Sequence, residues 1–343
     1  MTSAGISFVV VSYQSAEALK GSLPALAAQL HDGDEVIVVD NASADGSADV
    51  AAELVPRATI VRSEENAGFA AGCNRGAAVA SGELLVFLNP DAVPAQGFRD
   101  AIERPARDAS GWGAWMGLVT MHHGAAVNTS GGVLHFTGLG WAGEAGRPVD
   151  VVPTMPTEVG FVSGACFAVP RATYIGAGGF PEHYFMYCED VDLSLRLRLR
   201  GSRLGLEPSA RVDHDYDFGK GALKWRLLER NRVATVIRTY PAVLLLLLAP
   251  ALVVTEVAVL AAAIAGGWAL QKVLSWADVA RALPLLLRER AGIQATRTVS
   301  AREFATTLTP ELSSPFLPEA VRSGLVRRLL RAYWRLVSVL LRG

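Results

Sequence analysis

Four short polar runs carry residue types that could do chemistry: Ser12-Tyr13, Asp40-Asn41-Ala42-Ser43, Arg62-Ser63-Glu64-Glu65-Asn66 and Asn89-Pro90-Asp91. Together they offer carboxylates, amides and hydroxyls to a polar small molecule. Each alone is ordinary turn chemistry, because Asn, Asp and Ser habitually cap helices. Their succession at the ends of apolar runs makes a site. Further along, the adjacent acids Glu189-Asp190 open the run VDLSLRLRLRG. Paired carboxylates can move a proton, and acids at a helix start are also stabilised by the macrodipole. No GxGxxG follows the first apolar run and no GxxxxGK[ST] occurs anywhere, so neither a dinucleotide nor a P-loop nucleotide is indicated.

The elements that must position these groups alternate in type. ISFVVVS at 6–12 and EVIVV at 35–39 are β-branched runs, and Ala16 to Leu30 between them has helical periodicity. Residues 58–61 and 84–88 read as two further strands, with small-residue helices near 47–55 and 69–80. Such alternation predicts an α/β fold with a mostly parallel central sheet and helices on both faces. Ligands of that architecture bind beyond the carboxyl ends of the strands, where the four polar runs stand.

Composition narrows the class. The 343 residues are 51% hydrophobic and 19% charged with a net charge of −1, which suggests two units, excludes disorder and argues against nucleic acid as a partner. Three unpatterned cysteines, Cys73, Cys166 and Cys188, exclude a disulfide framework and point to a reducing compartment. The run Ile6 to Val11 is too short for a signal peptide, which places the N-terminus in the cytosol as an expectation.

The near-neutral total hides an asymmetry. Residues 1–241 hold 20 basic and 27 acidic side chains, residues 242–270 only Glu256, and residues 271–343 hold 12 basic and 5 acidic. Ala242 to Ala265 is an apolar stretch that as a helix would be roughly 36 Å long, enough to cross a bilayer, although Pro250 and Glu256 complicate a simple span. Residues 320–342 predict an in-plane amphipathic helix, with Arg327, Arg328, Arg331, Arg335 and Arg342 in one sector. Leu325, Leu329, Tyr333, Trp334, Leu336, Val337 and Leu340 fill the opposite side. The expected division is a catalytic domain at 1–240, a hydrophobic membrane segment at 241–270 and a basic helical region at 271–343.

The succession VVSY, VVDNASADGS, NAGFAAGCNRG, FLNPD, GFVSGACFAVPR, GGFPEHYFMYCEDVDLSLRLRLRG, ARVDHDYDF and ERNR resembles family 2 glycosyltransferases of the GT-A fold. Within that family it is most similar to the rhamnosyltransferase-like branch that builds bacterial cell-wall and surface polysaccharides. The likeness covers about residues 5–240.

The resemblance implies a nucleoside diphosphate sugar held through a divalent cation, Mg²⁺ or Mn²⁺. The family's DxD motif corresponds to Asn89-Pro90-Asp91, in which the first acid is missing. Asp91, the phosphate oxygens and His214 would ligate the cation, with Asn89 beside them. Ser12, Tyr13, Asp40, Asn41 and Ser43 would hold the nucleoside, with Asp45 shaping the loop. Asn66, Gly68, Asn74 and Arg75 would follow along the donor, Gly164 would lie beside the sugar, and Arg230, with Arg232, near the diphosphate. Asp190 becomes the base, Glu189 its neighbour, Asp192 a cap pointing away, and the arginines 196, 198 and 200 solvated or paired.

Function then follows as an expectation: an inverting transfer of a sugar, rhamnose among the candidates, from a dTDP or UDP donor. The acceptor would be lipid-linked or a polysaccharide at the cytoplasmic face of the cell membrane. A nucleotidyltransferase and a non-catalytic nucleotide-sugar-binding membrane scaffold are the competing readings. The first would need an activating basic motif near the N-terminus, where residues 1–30 have only Lys20.

Overall fold

A computed structural model describes residues 5–108, 110–215, 221–314, 317 and 322–342. In chain order the elements begin with β1 (Ile6–Ser12), α1 (Ala16–Ala27), β2 (Glu35–Asp40), α2 (Ser47–Leu54), β3 (Thr59–Arg62), α3 (Gly68–Val79) and β4 (Leu84–Leu88). There follow β5 (Val93–Pro94), α4 (Phe98–Arg107), β6 (Trp112–Met121), β7 (Ala126–Thr129), β8 (Gly132–Leu134), β9 (Gly140–Ala142), β10 (Thr157–Glu158) and β11 (Cys166–Pro170). Then come α5 (Arg171–Gly176), α6 (Glu189–Leu199) and β12 (Arg203–Asp213), and the helices α7 (Gly221–Thr239), α8 (Ala242–Ala265), α9 (Ala269–Ala295), α10 (Ala301–Ala305) and α11 (Gly324–Leu340). The described residues fall into two compact units, one from 1–132, 142–194 and 202–216, the other from 133–141, 195–201 and 217–343.

In the first unit the strands run in the order β10-β12-β6-β11-β4-β1-β2-β3, with β5 pairing β12 and β7 pairing β6. β4, β1, β2 and β3 are parallel, as the alternation of β-branched runs and helices requires, and all seven residues of β1 are buried. Beyond β4 the sheet becomes mixed: β11 runs antiparallel to both β4 and β6, and β12 lies parallel to β6. This half has no local signature of the βαβ kind, because its partners are distant in sequence. The core between sheet and helices is aromatic there, with Phe87 stacked on Phe167 at 4.8 Å and Tyr174 and Phe180 against the same ring. Trp115 is core, its indole N–H donating to the Ile102 carbonyl at 2.7 Å. On the other half α3 lies close to β1 because its inner face is small: a Cβ on Gly72 would fall 2.6 Å from Val11 Cγ1.

The second unit is helical. Arg226 of α7 grips Asp278 of α9 with Nε and Nη2 at 2.6 and 2.8 Å. A buried charge cluster joins α7, α8 and α9. Arg232 donates to Glu229 at 2.7 Å and pairs with Glu256, while Lys272 pairs with Glu229 and donates to Glu256 at 2.7 Å. Glu256 is therefore compensated within the protein. Of the apolar residues assigned to one side of the C-terminal helix, the structure divides the set. Trp334 stacks on Phe136 at 5.0 Å, Tyr333 donates to the Leu247 carbonyl at 2.5 Å and Val337 is buried, whereas Leu325, Leu329, Leu336 and Leu340 are exposed. Ala320 and Val321, at the start of the expected helix, lie outside the described residues.

Candidate active site

The parallel strands end side by side, which brings the first three polar runs together. Ser12 pairs in register with Asp40, and Asp40 with Arg62. In-register neighbours of a parallel pair project from the same face, so the Ser12 hydroxyl and the Asp40 carboxyl are companions. Both are buried, and neither Ser12 Oγ nor Asp40 Oδ1 has a hydrogen-bond partner among the described residues. Unsatisfied buried groups at strand ends are what a polar ligand would complete. Tyr13 beside them is exposed.

Several neighbours shape this edge. Ser43 Oγ accepts from the Gln14 N–H at 3.0 Å, and the Asp40 carboxylate accepts from the Ser43 N–H at 3.2 Å. Asp45 accepts from Ser47 and the Ala16 N–H, and those hydrogen bonds, Ser47's first, hold its carboxyl below the usual range. The buried Asn41 amide donates to the Gly68 carbonyl at 3.0 Å. Asn66 accepts from the Gly68 N–H at 3.0 Å, just ahead of α3. Arg75 donates to Ser63 Oγ at 2.6 Å and lines, with Val61, Arg62, Ser63, Glu64 and Glu65, a cavity of about 520 Å³.

Asn74 is placed differently from the rest of its run. Its amide oxygen accepts from Tyr174 Oη at 2.7 Å and the Phe180 N–H at 2.9 Å; its nitrogen donates to the Phe180 carbonyl at 2.9 Å and Glu182 at 3.0 Å. An amide has two lone pairs and two hydrogens, so all four positions are taken, one by Tyr174 of α5 and three by the loop that leads to α6. Gly68 serves the same loop. Its φ is +87°, and a Cβ there would meet the Phe185 carbonyl oxygen at 2.4 Å, the oxygen that accepts from the Ala70 N–H at 3.1 Å. Beyond Phe185 (φ 65°) the chain reaches α6 through Tyr187 (φ 72°) and Cys188 (φ 63°), three left-handed non-glycine residues. Local backbone cost of this kind persists where the surroundings over-determine it.

Asn89-Pro90-Asp91 follows β4, and β12 delivers His214 to it. Asp91 Oδ1 lies 3.1 Å from His214 Nε2, and the Asn89 amide nitrogen lies 3.3 Å from the same ring nitrogen. His214 is buried and held by its backbone, its N–H donating to the Thr120 carbonyl and its carbonyl accepting from the Asn128 amide, each at 2.8 Å. Asp91 is about half exposed. One carboxylate and one imidazole converging at an open position fit a divalent cation that takes its remaining ligands from a phosphate-bearing substrate and water. Among the described residues no group of three or more His, Cys, Asp or Glu surrounds such a position, so the protein alone offers a partial shell.

The acid pair is brought to this turn by β11. The Asn89 N–H donates to the Ala165 carbonyl at 3.0 Å, and the Gly164 N–H donates to Asp190 Oδ2 at 2.9 Å. A Cβ on Gly164 would stand 3.4 Å from Phe69 and 3.6 Å from Asp190, ordinary contact on both sides. Glu189 is buried, and its Oε2 has no partner among the described residues. Burial, with the charge of Asp190 adding to it, pushes the Glu189 carboxyl well above the usual range. Burial also raises Asp190, but two backbone N–H donors, from Gly164 and Val191, oppose the rise. Both carboxyls are therefore raised, Glu189 well above the usual range and Asp190 against the pull of its two backbone donors.

Two expectations are corrected by their surroundings. Asp192, expected as a cap pointing away, is fully buried, 3.4 Å from Tyr184 Oη. Arg196 and Arg198, expected solvated or paired, are buried. Arg232 is engaged by Glu229 and Glu256. Arg230 belongs to the second unit, where its Nε donates to Asn231 Oδ1 at 2.8 Å. Tyr216 and Asp217 of the ARVDHDYDF run lie outside the described residues. Sequence reasoning missed Asn128, Phe185 and Tyr174, which act by contact across the sheet and leave no local pattern.

Comparison with known proteins agrees with this geometry. Residues 7–105 match the family described as Glycosyl transferase family 2. An N-acetylglucosaminyl-diphospho-decaprenol L-rhamnosyltransferase of Mycobacterium tuberculosis is 29% identical over 230 residues, covering 60% of this chain and 74% of that protein. The rhamnosyltransferase WbbL of Escherichia coli is 37% identical over 76 residues, 21% of this chain and 29% of that protein. Among solved structures, GalNAc-T7 with UDP, GalNAc and Mn²⁺ superposes with a TM-score of 0.58 at 16% identity, over 70% of this chain and 49% of that one. The mannosyltransferase PcManGT of Pyrobaculum calidifontis, with GDP-Man and Mn²⁺, does so with a TM-score of 0.50 at 22% identity, over 88% and 86%. These two likenesses concern the fold. With the site built on that fold and the family match running through the ends of its parallel strands, the chain is similar to family 2 glycosyltransferases and, among them, to rhamnosyltransferases, and these matches support a glycosyltransferase.

Proposed function

We propose that the protein transfers a sugar, rhamnose being favoured, from a dTDP- or UDP-linked donor to a polyprenyl-diphosphate-linked glycan, with inversion at the anomeric carbon. One observation carries the reading: the turn that would hold the diphosphate, Asn89-Pro90-Asp91, is linked to Asp190 through Ala165 and Gly164 by two backbone hydrogen bonds. The sites of leaving group and base are then set by one dipeptide.

The nucleoside would lie at the ends of β1 and β2, where unsatisfied Ser12 Oγ and Asp40 Oδ1 supply hydrogen-bonding positions, with the cavity lined by Arg75 at the end of β3. Asp91 and His214 would hold a divalent cation, Mg²⁺ or Mn²⁺, whose charge offsets that of the departing diphosphate. Asp190 accepts the proton of the acceptor hydroxyl as that oxygen attacks the anomeric carbon from the face opposite the diphosphate. Glu189, whose carboxyl burial pushes well up, stands beside it. The relatives' names support the sugar and the acceptor: one acts on N-acetylglucosaminyl-diphospho-decaprenol and both named above are rhamnosyltransferases.

The deciding assay incubates the full chain with dTDP-rhamnose, Mn²⁺ and a polyprenyl-diphosphate-linked N-acetylglucosamine, and reads product by mass and anomeric configuration by NMR. Inverted rhamnosyl product from the wild type, and none above background from Asp190→Asn, is expected. Equal rates for the two proteins would overturn the base assignment. Transfer from UDP-sugars alone would overturn the choice of rhamnose.

A further inference from the structure

α8 is the one helix among the described residues long and apolar enough to cross a membrane, with a mean hydropathy of 2.6 and 11% of that window buried. Leu246 is 76% exposed, and Val253, Val254, Val257 and Ile264 are each at least 64% exposed. Leu244, Leu248 and Ala263 face inward. The outward side of α8 thus carries no charge over its whole length, a surface that water alone does not stabilise.

Its other side forbids a span. Glu256 accepts from Lys272 Nζ at 2.7 Å and Trp276 Nε1 at 2.6 Å, and pairs with Arg232; Lys272 and Arg232 are themselves buried and share Glu229. Glu256 stands nine residues before the C-terminal end of α8, about 14 Å along the axis and so near the middle of a span of about 30 Å. A transmembrane α8 would carry α7 with it to that depth. α7 bears Lys224, Arg226, Glu229, Arg230, Arg232 and Arg238. Each ionised side chain at mid-bilayer depth costs roughly 2.5 kcal/mol or more, and the network would have to break or enter hydrocarbon whole.

The neighbouring helices complete the surface. α8 adjoins α9, through Glu256, and α11, through Tyr333 on the Leu247 carbonyl. α9 exposes Leu270, Val273, Leu283 and Leu287. α11 exposes Leu325, Leu329, Leu336 and Leu340, and Arg328 and Arg335 are exposed next to that stripe in the helical projection. Leucines at acyl-chain depth with arginines one step to the side match an anionic lipid surface, in which hydrocarbon and phosphate lie a few ångströms apart. The excess of 12 basic over 5 acidic side chains at 271–343 has the same sign.

We infer that the second unit docks on an anionic bilayer through α8, α9 and α11 lying in the plane of one leaflet, and that α8 does not cross the membrane. This deepens the reading of a lipid-linked acceptor but is measured without it, since vesicle binding needs neither donor nor acceptor.

The test uses the full chain with sealed vesicles of phosphatidylcholine with and without phosphatidylglycerol. Binding by flotation is expected to favour the anionic vesicles. Val253→Glu with Val257→Glu, both at exposed positions, should lower partitioning at least tenfold, and Arg328→Glu with Arg335→Glu should remove most of the preference for phosphatidylglycerol. Circular dichroism and melting temperature like the wild type's confirm that the variants fold. For topology, Ala242→Cys and Ala265→Cys are placed singly in a Cys188→Ser background and labelled on bound protein with an impermeant maleimide added outside. Both should react. Protection of one end until the vesicles are opened would show a span and overturn the in-plane arrangement. Flotation unchanged in the glutamate pair, or a lipid-free dimer that the same pair dissociates, would overturn the lipid surface as the occupant.

Discussion

Asn89 and Asp190 are one dipeptide apart in space although 101 residues separate them in sequence. Asn89 donates its N–H to Ala165, and Gly164 donates its own to the Asp190 carboxylate. β11, antiparallel to β4, makes this possible by setting Cys166 opposite Leu88. The cation turn and the base therefore depend on one strand pairing, and a shift of that register would move both.

The two acids should differ sharply on substitution. Asp190→Asn is expected to lower kcat roughly 10² to 10⁴-fold, the range of general-base catalysis, while Glu189→Gln should cost less than about tenfold, because burial already favours the uncharged form of Glu189. Steady-state kinetics of the two variants check this.

Glu189 also makes a stability prediction with a definite sign. Its folded pKa is raised, so between the unfolded value and the folded one the native state holds more protons and stability falls as pH rises. Below the unfolded pKa both states are protonated and the loss vanishes. Glu189→Gln should therefore raise the melting temperature at neutral and higher pH and have little effect near pH 4. Melting curves across pH test it; equal shifts at all pH values would contradict it.

Restoring the first acid of the turn should strengthen cation binding. Asn89→Asp puts a carboxylate beside Asp91 and His214, and should lower the Mn²⁺ concentration for half-maximal activation; Asp91→Asn should raise it at least tenfold. Metal titration of the transfer rate is the measurement.

Asn74 should act on the base loop rather than on donor affinity. With four hydrogen bonds at about 1 kcal/mol each, Asn74→Ala is expected to cost roughly 2 kcal/mol or more of stability and to lower kcat with KM for the donor little changed. Gly68→Ala should behave alike, since its Cβ would strike the Phe185 carbonyl that seats the same loop. Urea unfolding with kinetics separates the effects, and a rise in KM alone would return Asn74 to the donor site.

The buried charge cluster should tolerate loss of a member poorly. Lys272→Met leaves Glu229 and Glu256 sharing Arg232 and is expected to destabilise by about 3 to 5 kcal/mol, far more than removal of the exposed Lys20–Glu17 pair, worth about 0.5 kcal/mol. Denaturant unfolding of both variants provides the comparison.

The sequence by itself determined what depends on neighbours along the chain. The β-branched runs at 6–12 and 35–39 and the apolar run at 84–88 had to be buried strands, the small-residue stretches between them helices, and the polar residues after each strand the rim of a site. It also marked the turn, the acid pair and the histidine, because family resemblance is carried by short motifs. Only the tertiary structure decided how those motifs meet. β6, β11 and β12 pair across many tens of residues, and no periodicity records a partner that far away. Asn74 and Asn41 look alike as polar residues of the same motifs, yet Asn74, inside α3, is occupied by Tyr174 and the loop before α6, and Asn41, after β2, by Gly68. Glu256 read as an obstacle within an apolar helix until Arg232 and Lys272 were found beside it. Which side of the C-terminal helix is core was likewise hidden, since Trp334 and Leu336 are equally apolar and only Phe136 distinguishes them. Local sequence fixes the element and the type of chemistry at its end; burial and hydrogen-bond satisfaction among distant residues fix which groups remain available to a substrate.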